Sequence, residues 1–302
     1  MTKARRITGV LLSIAVVTCG RGDTHRSDEV SVAVDAAARR TPLLARVDHF
    51  FATSPQAEAH FNFFRDTLGL AVAWPYKSYG NFASGGLSLG NTVLEFVTWA
   101  VGKGETLPTE WKSLAFEPVG DTEAAVAELE HRRINHSAPE VNRYKDSTGA
   151  EVVGWTNTDL IGLSPSSVVF ICDYADRKGI HEVHRVAHDN LVRRHGGPLG
   201  VIAVKEIVLG VTDLATAAVQ WRSLVAGPRQ DSDGLFGFGD GPGIRLVQAE
   251  KAGMREIVIG VRSVEDARRF LADRGLLEPG EAGRVSIARK ALGGLLVTIV
   301  AN

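Results

Sequence analysis

Three stretches decide the fold: Arg46-Val-Asp-His-Phe-Phe-Ala52, Lys205-Glu-Ile-Val-Leu-Gly-Val-Thr212 and Arg255-Glu-Ile-Val-Ile-Gly-Val261. Each reads as a strand, and each runs into a helix-start signal: Ser54-Pro55, Asp213 and Ser263. The helix that follows ends at Leu68-Gly69-Leu70, Ala226-Gly227 or Arg274-Gly275-Leu276. A fourth, weaker copy runs from Lys112-Ser-Leu-Ala-Phe116 through Asp121 to Arg132-Arg-Ile134, with Arg133 where the others have glycine. His49 to Gly69 is 20 residues, Glu206 to Gly227 is 21, Glu256 to Gly275 is 19 and Ser113 to Arg133 is 20. A fixed period is the mark of a repeated structural unit. Short strand-like runs separated by Gly turns follow each copy, as at Ala71–Tyr76, Phe82–Leu89 and Thr92–Thr98 in the first. The unit is therefore β-α-β-β-β, repeated over about 44–98, 111–174, 203–249 and 254–300. One such unit is too small a sheet to be stable alone, so the copies should pair. The expectation is an α+β protein of four βαβββ modules in two domains, 41–176 and 201–302, with 177–200 as connector.

Composition agrees. At 302 residues the length suits about two domains, and 44% hydrophobic with 23% charged residues is a folded chain, not a disordered one. Lys+Arg 34 against Asp+Glu 35 leaves a net charge of -1, which argues against nucleic acid as a partner. Cys19 and Cys172 are too few for a disulfide framework. Residues 1–40 read as a segment apart. Lys3, Arg5 and Arg6 precede an apolar run from Ile7 to Val17, the layout of an export signal and too short to span a bilayer. Val16-Val17-Thr18-Cys19 looks like a lipobox, with Thr18 departing from its usual small residue, so Cys19 is a candidate for lipid attachment. The polar, Ala-rich stretch to Arg40 reads as a tether.

Val47-Asp48-His49, the Leu68-Gly69-Leu70 stop and Ser84-Gly-Gly-Leu-Ser-Leu-Gly-Asn-Thr-Val-Leu-Glu-Phe-Val97 together resemble the vicinal oxygen chelate superfamily, which includes glyoxalase I, extradiol dioxygenases and bleomycin-resistance proteins. The resemblance covers about residues 44 to 300. It implies paired modules curved around a pocket, and a divalent metal (Zn, Fe, Mn or Ni) held by His and Glu or Asp from first and last strands. His49 and Glu95 stand at those positions of the first module. By alternation His49, Phe51 and Thr53 share one strand face, as do Val93, Glu95 and Val97. A buried carboxylate needs a partner, which a metal or a His–Glu hydrogen bond would each supply. In the second module Ser113 replaces the expected ligand, a hydroxyl being a poor donor for transition metals. Asp173 or Cys172 would complete a three-ligand site, since alternation turns only one of them inward.

The same positions in the last two modules carry Glu206 and Glu256, with Arg245 near the slot of Glu95, and read as an internal ion-pair cluster. His181, His184, His188 and His195 crowd the connector, which reads as a solvated amphipathic helix. Gly80, Gly85, Gly86 and Gly90 punctuate hairpins and make no phosphate-binding signature. Phe51, Ser113, Trp74 and Tyr79, with Tyr76 and Phe82 nearby, are candidates for the pocket wall. Two functions follow: a metal-dependent enzyme acting on vicinal oxygens with Glu95 as general base, or a metal-free protein that binds a small molecule. A role in the cell envelope is a third, resting on residues 1–20 alone.

Overall fold

The computed structural model describes residues 42–302 except 103–105, 147, 164–167, 226–229, 232–233 and 279–282. The stretches read as an export signal with Cys19 and as a tether, and the Ala226-Gly227 stop, lie outside the described residues. Among the described residues no helix is long and apolar enough to cross a membrane.

The first module is β1 (Leu44–Thr53), α1 (Ala57–Asn62, continued by a wider turn to Thr67), β2 (Ala71–Ser78), β3 (Phe82–Ser88) and β4 (Val93–Trp99). The second is β5 (Glu110–Pro118), α2 (Thr122–Arg132), β6 (Glu140–Lys145), β7 (Glu151–Asp159) and β8 (Val168–Tyr174). They merge into one eight-stranded sheet of order β2-β3-β4-β1-β5-β8-β7-β6. Within each module the first and last strands are parallel, and the modules join through the antiparallel pair β1–β5. After the connector helix α3 (Arg177–Arg193) the pattern repeats. The third module is β9 (Val201–Val211), α4 (Leu214–Leu224), β10 (Gln230–Asp231), β11 (Leu235–Phe236) and β12 (Gly243–Gln248). The fourth is β13 (Gly253–Val261), α5 (Val264–Asp273), β14 (Leu277–Glu278), β15 (Val285–Ile287) and β16 (Leu296–Ala301). The second sheet runs β10-β11-β12-β9-β13-β16-β15-β14. The four-module α+β expectation holds.

Local chemistry sets the helix ends. The Asp121, Asp213 and Ser263 side chains accept from the amides of Ala124, Thr216 and Asp266, which are otherwise orphan donors of a first helical turn. At the far end of α2, Arg133 adopts the left-handed conformation (φ 57°) that Gly69 and Gly275 adopt at no steric cost.

One continuous apolar cluster runs through both halves, and a smaller one of Ala115, Phe170 and Cys172 lies beside the first sheet. Trp221 of α4 is fully buried and packs against Phe116 of β5 and against Phe238, whose ring centroid lies 4.7 Å from that of Phe116. Polar clamps cross the same boundary. Asn91, in the β3–β4 turn, donates to the Val204 carbonyl and accepts from the Val204 amide of β9. Gly90 beside it (φ +92°) lies so close to the Ile202 carbonyl that a Cβ would collide with it.

Candidate functional site

The curled N-terminal sheet encloses a cavity of about 790 Å³. That is within the range that takes a small organic ligand. His49 of β1 and Glu95 of β4 share its floor, with Nε2 3.7 Å from Oε2. The separation is too long for a hydrogen bond.

Asp48 is the residue that orients the pair. The β1–β5 register slips between Val47 and His49. This local irregularity breaks strict alternation and lets Asp48 and His49 meet. Asp48 Oδ2 lies 2.7 Å from His49 Nδ1 and accepts from the Tyr174 hydroxyl at 2.9 Å. Burial alone would raise the Asp48 carboxyl, but the His49 bond, the charges of His49 and His184 and the Tyr174 bond together hold it at about 2. For His49, burial works against the charged form, and the bond and charge of Asp48 with the charge of Glu95 raise it nonetheless. Burial pushes Glu95 up, against the opposing charge of His49 and a hydrogen bond from Ser84. With Nδ1 engaged by Asp48, the Nε2 edge of His49 faces the cavity. Asp48 went unnoticed in the sequence because alternation assigns it to the opposite face.

Aromatic side chains form the walls. Trp74 stands edge-on to His49 and stacks on His184, Trp99 stands edge-on to Phe51, and Phe170 contacts His49 with centroids 5.9 Å apart. Trp74 lies across Gly86, where a Cβ would run into the indole. Tyr79 stacks on Phe82 at the rim with the Lys77 ammonium 4.9 Å from its ring, and burial pushes its hydroxyl up to about 12. Phe51, Trp74 and Tyr79 thus all line the cavity. Ser113 does not: it is buried opposite Phe51 on β5, and its hydroxyl has no partner.

Strand register corrects the proposed third ligand. His49 pairs with Val93, two residues before Glu95, while Ser113 pairs with Val168, two residues before Phe170. Phe170, not Cys172 or Asp173, therefore occupies the position corresponding to Glu95. Asp173 points away from the cavity, accepting from the Thr122 amide and hydroxyl at 2.8 Å and pairing with Arg177. Cys172 does line the cavity but is buried, and burial raises its thiol well above the usual range, so it is a protonated wall residue. Among the described residues no group of three or more His, Cys, Asp or Glu side chains is arranged to hold a metal ion. His49 and Glu95 are two donors where a resident cation needs three or four. The donor set does not fit the metal that the resemblance implies.

The second sheet shows the same positions closed. Glu206 is bidentate to Arg245 at 2.5 and 2.6 Å, and Glu256 pairs with Arg284 at 2.9 Å. Each glutamate of the expected ion-pair cluster meets an arginine of its own module.

The connector helix α3 is solvated on one face only. Arg185 bonds Glu182 and Asp189 outside, while Gly179, Ile180 and Val183 form part of the cavity wall. His184 is turned inward, its Nδ1 3.6 Å from Asp48 Oδ1, and burial lowers its tendency to charge. His188 bonds the Gly90 carbonyl and His181 bonds Glu117 at 2.6 Å. These three histidines thus have three different partners.

The fold defined by these paired modules is that of the vicinal oxygen chelate proteins. No family model and no curated protein sequence matches the chain. Solved structures do. A hypothetical protein from Staphylococcus aureus is 10% identical with a TM-score of 0.58, covering 85% of this chain and 99% of that one. Homoprotocatechuate 2,3-dioxygenase from Brevibacterium fuscum, solved with 3,4-dihydroxyphenylacetate, is 13% identical with a TM-score of 0.51, covering 85% of this chain and 80% of that one. A mutant of the same dioxygenase reaches 14% identity and a TM-score of 0.54, covering 86% and 72%. At these identities the likeness establishes the fold.

Proposed function

We propose that the N-terminal domain is a small-molecule binding module that takes a flat, oxygen-bearing aromatic ligand without a resident metal. The observation that carries this is the cavity itself: aromatic walls over a floor where His49 Nε2 and the Glu95 carboxylate stand 3.7 Å apart. Aromatic faces offer dispersion and stacking to a planar body, and a few convergent polar groups fix its orientation. The dioxygenase-type structural neighbours support a small oxygenated ligand. In the metal-dependent reading a cation would sit between His49 and Glu95, but Ser113 and Phe170 supply no further donor and leave it only two. The reading for residues 1–40 is export, with Cys19 as the candidate anchor; it is supported by the basic start and apolar run, and cell fractionation tests it.

Calorimetric titration with 2-naphthol, before and after EDTA, tests the binding function. One-to-one binding that EDTA leaves unchanged, and that Trp74→Ala weakens by up to about tenfold, is expected. No saturable binding overturns the proposal. Binding lost to EDTA and restored by Zn, Fe, Mn or Ni would replace it with the metal-dependent reading.

A further inference from the structure

Asn157 of β7 lines the cavity, and its Oδ1 is buried with no hydrogen-bond partner. Buried polar groups are nearly always satisfied, so an orphan amide oxygen in a cavity wall calls for a partner. The internal symmetry of the domain shows why none is supplied from within. Gly86 pairs with Glu95 and Ser84 with Val97, two residues on; Asp159 pairs with Phe170 and Asn157 with Cys172, two residues on. Asn157 therefore occupies in the second module the place that Ser84 occupies in the first. Ser84 spends its hydroxyl on Glu95. The counterpart of Glu95 is Phe170, which offers Asn157 nothing to bond.

We infer that Asn157 is a specificity-determining residue that accepts a hydrogen bond from the ligand, at the end of the cavity away from Ser84 and Glu95. The inference rests on the binding function proposed above and adds to it the ligand's chemistry. The Glu95 carboxylate, when ionised, and the Asn157 carbonyl are acceptor sites, so the cavity fits a planar molecule carrying hydrogen-bond donors at both ends. Tyr144 and Trp155, stacked on each other beside Asn157 in the same wall, give the ring of such a ligand a flat surface.

Two probes of one shape separate the possibilities by calorimetry: 2,6-dihydroxynaphthalene, and 6-methoxy-2-naphthol with one donor capped. The dihydroxy probe should bind the wild-type protein about tenfold more tightly, and Asn157→Leu should bring the two to within about twofold. Equal affinities for wild-type protein overturn the role of Asn157 while leaving the cavity's binding function intact. So does a preference that persists in Asn157→Leu. If neither probe binds, both the binding function and this inference fall. The wild-type comparison stands by itself should the variant not fold.

Discussion

Replacing Asp48 with Asn keeps the size of the side chain and removes the charge that His49 leans on. Holding the Asp48 carboxyl at about 2, against 3.8 for the free group, corresponds to about 2 kcal/mol in favour of the folded, ionised state. The sign follows from the direction. A depressed acid stabilises the fold fully above pH 3.8, and that stability is lost as the pH falls towards 2. His49 works in the opposite sense, because its folded value is raised: its contribution is complete below 6.5 and is lost as the pH rises through the folded value. The pair therefore stabilises the protein most between about pH 4 and 6.5. In Asp48→Asn, stability at pH 5 should fall by about 2–3 kcal/mol, and the midpoint of His49 titration should drop because burial is no longer opposed by Asp48. Urea unfolding from pH 2.5 to 8, with proton NMR of the His49 ring, measures both. Matching stability–pH curves for wild type and Asp48→Asn, offset by a constant, would refute the coupling between Asp48 and His49.

Two further substitutions test the scaffold. Arg133→Gly should stabilise the protein by about 0.5–1 kcal/mol, because Arg133 holds a left-handed backbone that glycine adopts without steric cost; a higher urea midpoint with an unchanged slope is the expected result. Trp221→Ala should cost about 3–5 kcal/mol and destabilise both halves together in thermal unfolding, since the ring packs against Phe116 of the first sheet and Phe238 of the second half.

The fold was legible because it is written four times. Strand, capped helix and turn recur at a spacing of about 20 residues, and the signals at Asp121, Asp213 and Ser263 are local hydrogen bonds that need no knowledge of the rest. His49 and Glu95 were brought together by the resemblance, which implies ligands from the first and last strands of a module. What escaped was everything set by register. The slip beside Asp48 inverts a face, and no residue type announces it. Phe170 as the counterpart of Glu95 follows only from which residues of β5 and β8 lie side by side, which composition does not encode. The helix α3 presents histidine on its inner and outer faces alike, so amphipathicity gave no warning that His184 would be buried against Trp74.

The Asn91 clamp has a mechanical consequence. The turn joining β3 to β4 is bolted to β9 from one side and tied to α3 through His188 and the Gly90 carbonyl from the other. The hairpin that carries Ser84, Gly86 and Glu95 is thus anchored in the C-terminal half of the molecule. The C-terminal half acts as a foundation: cutting the chain after Tyr174 would not release a smaller working pocket but would cut loose the floor on which it stands.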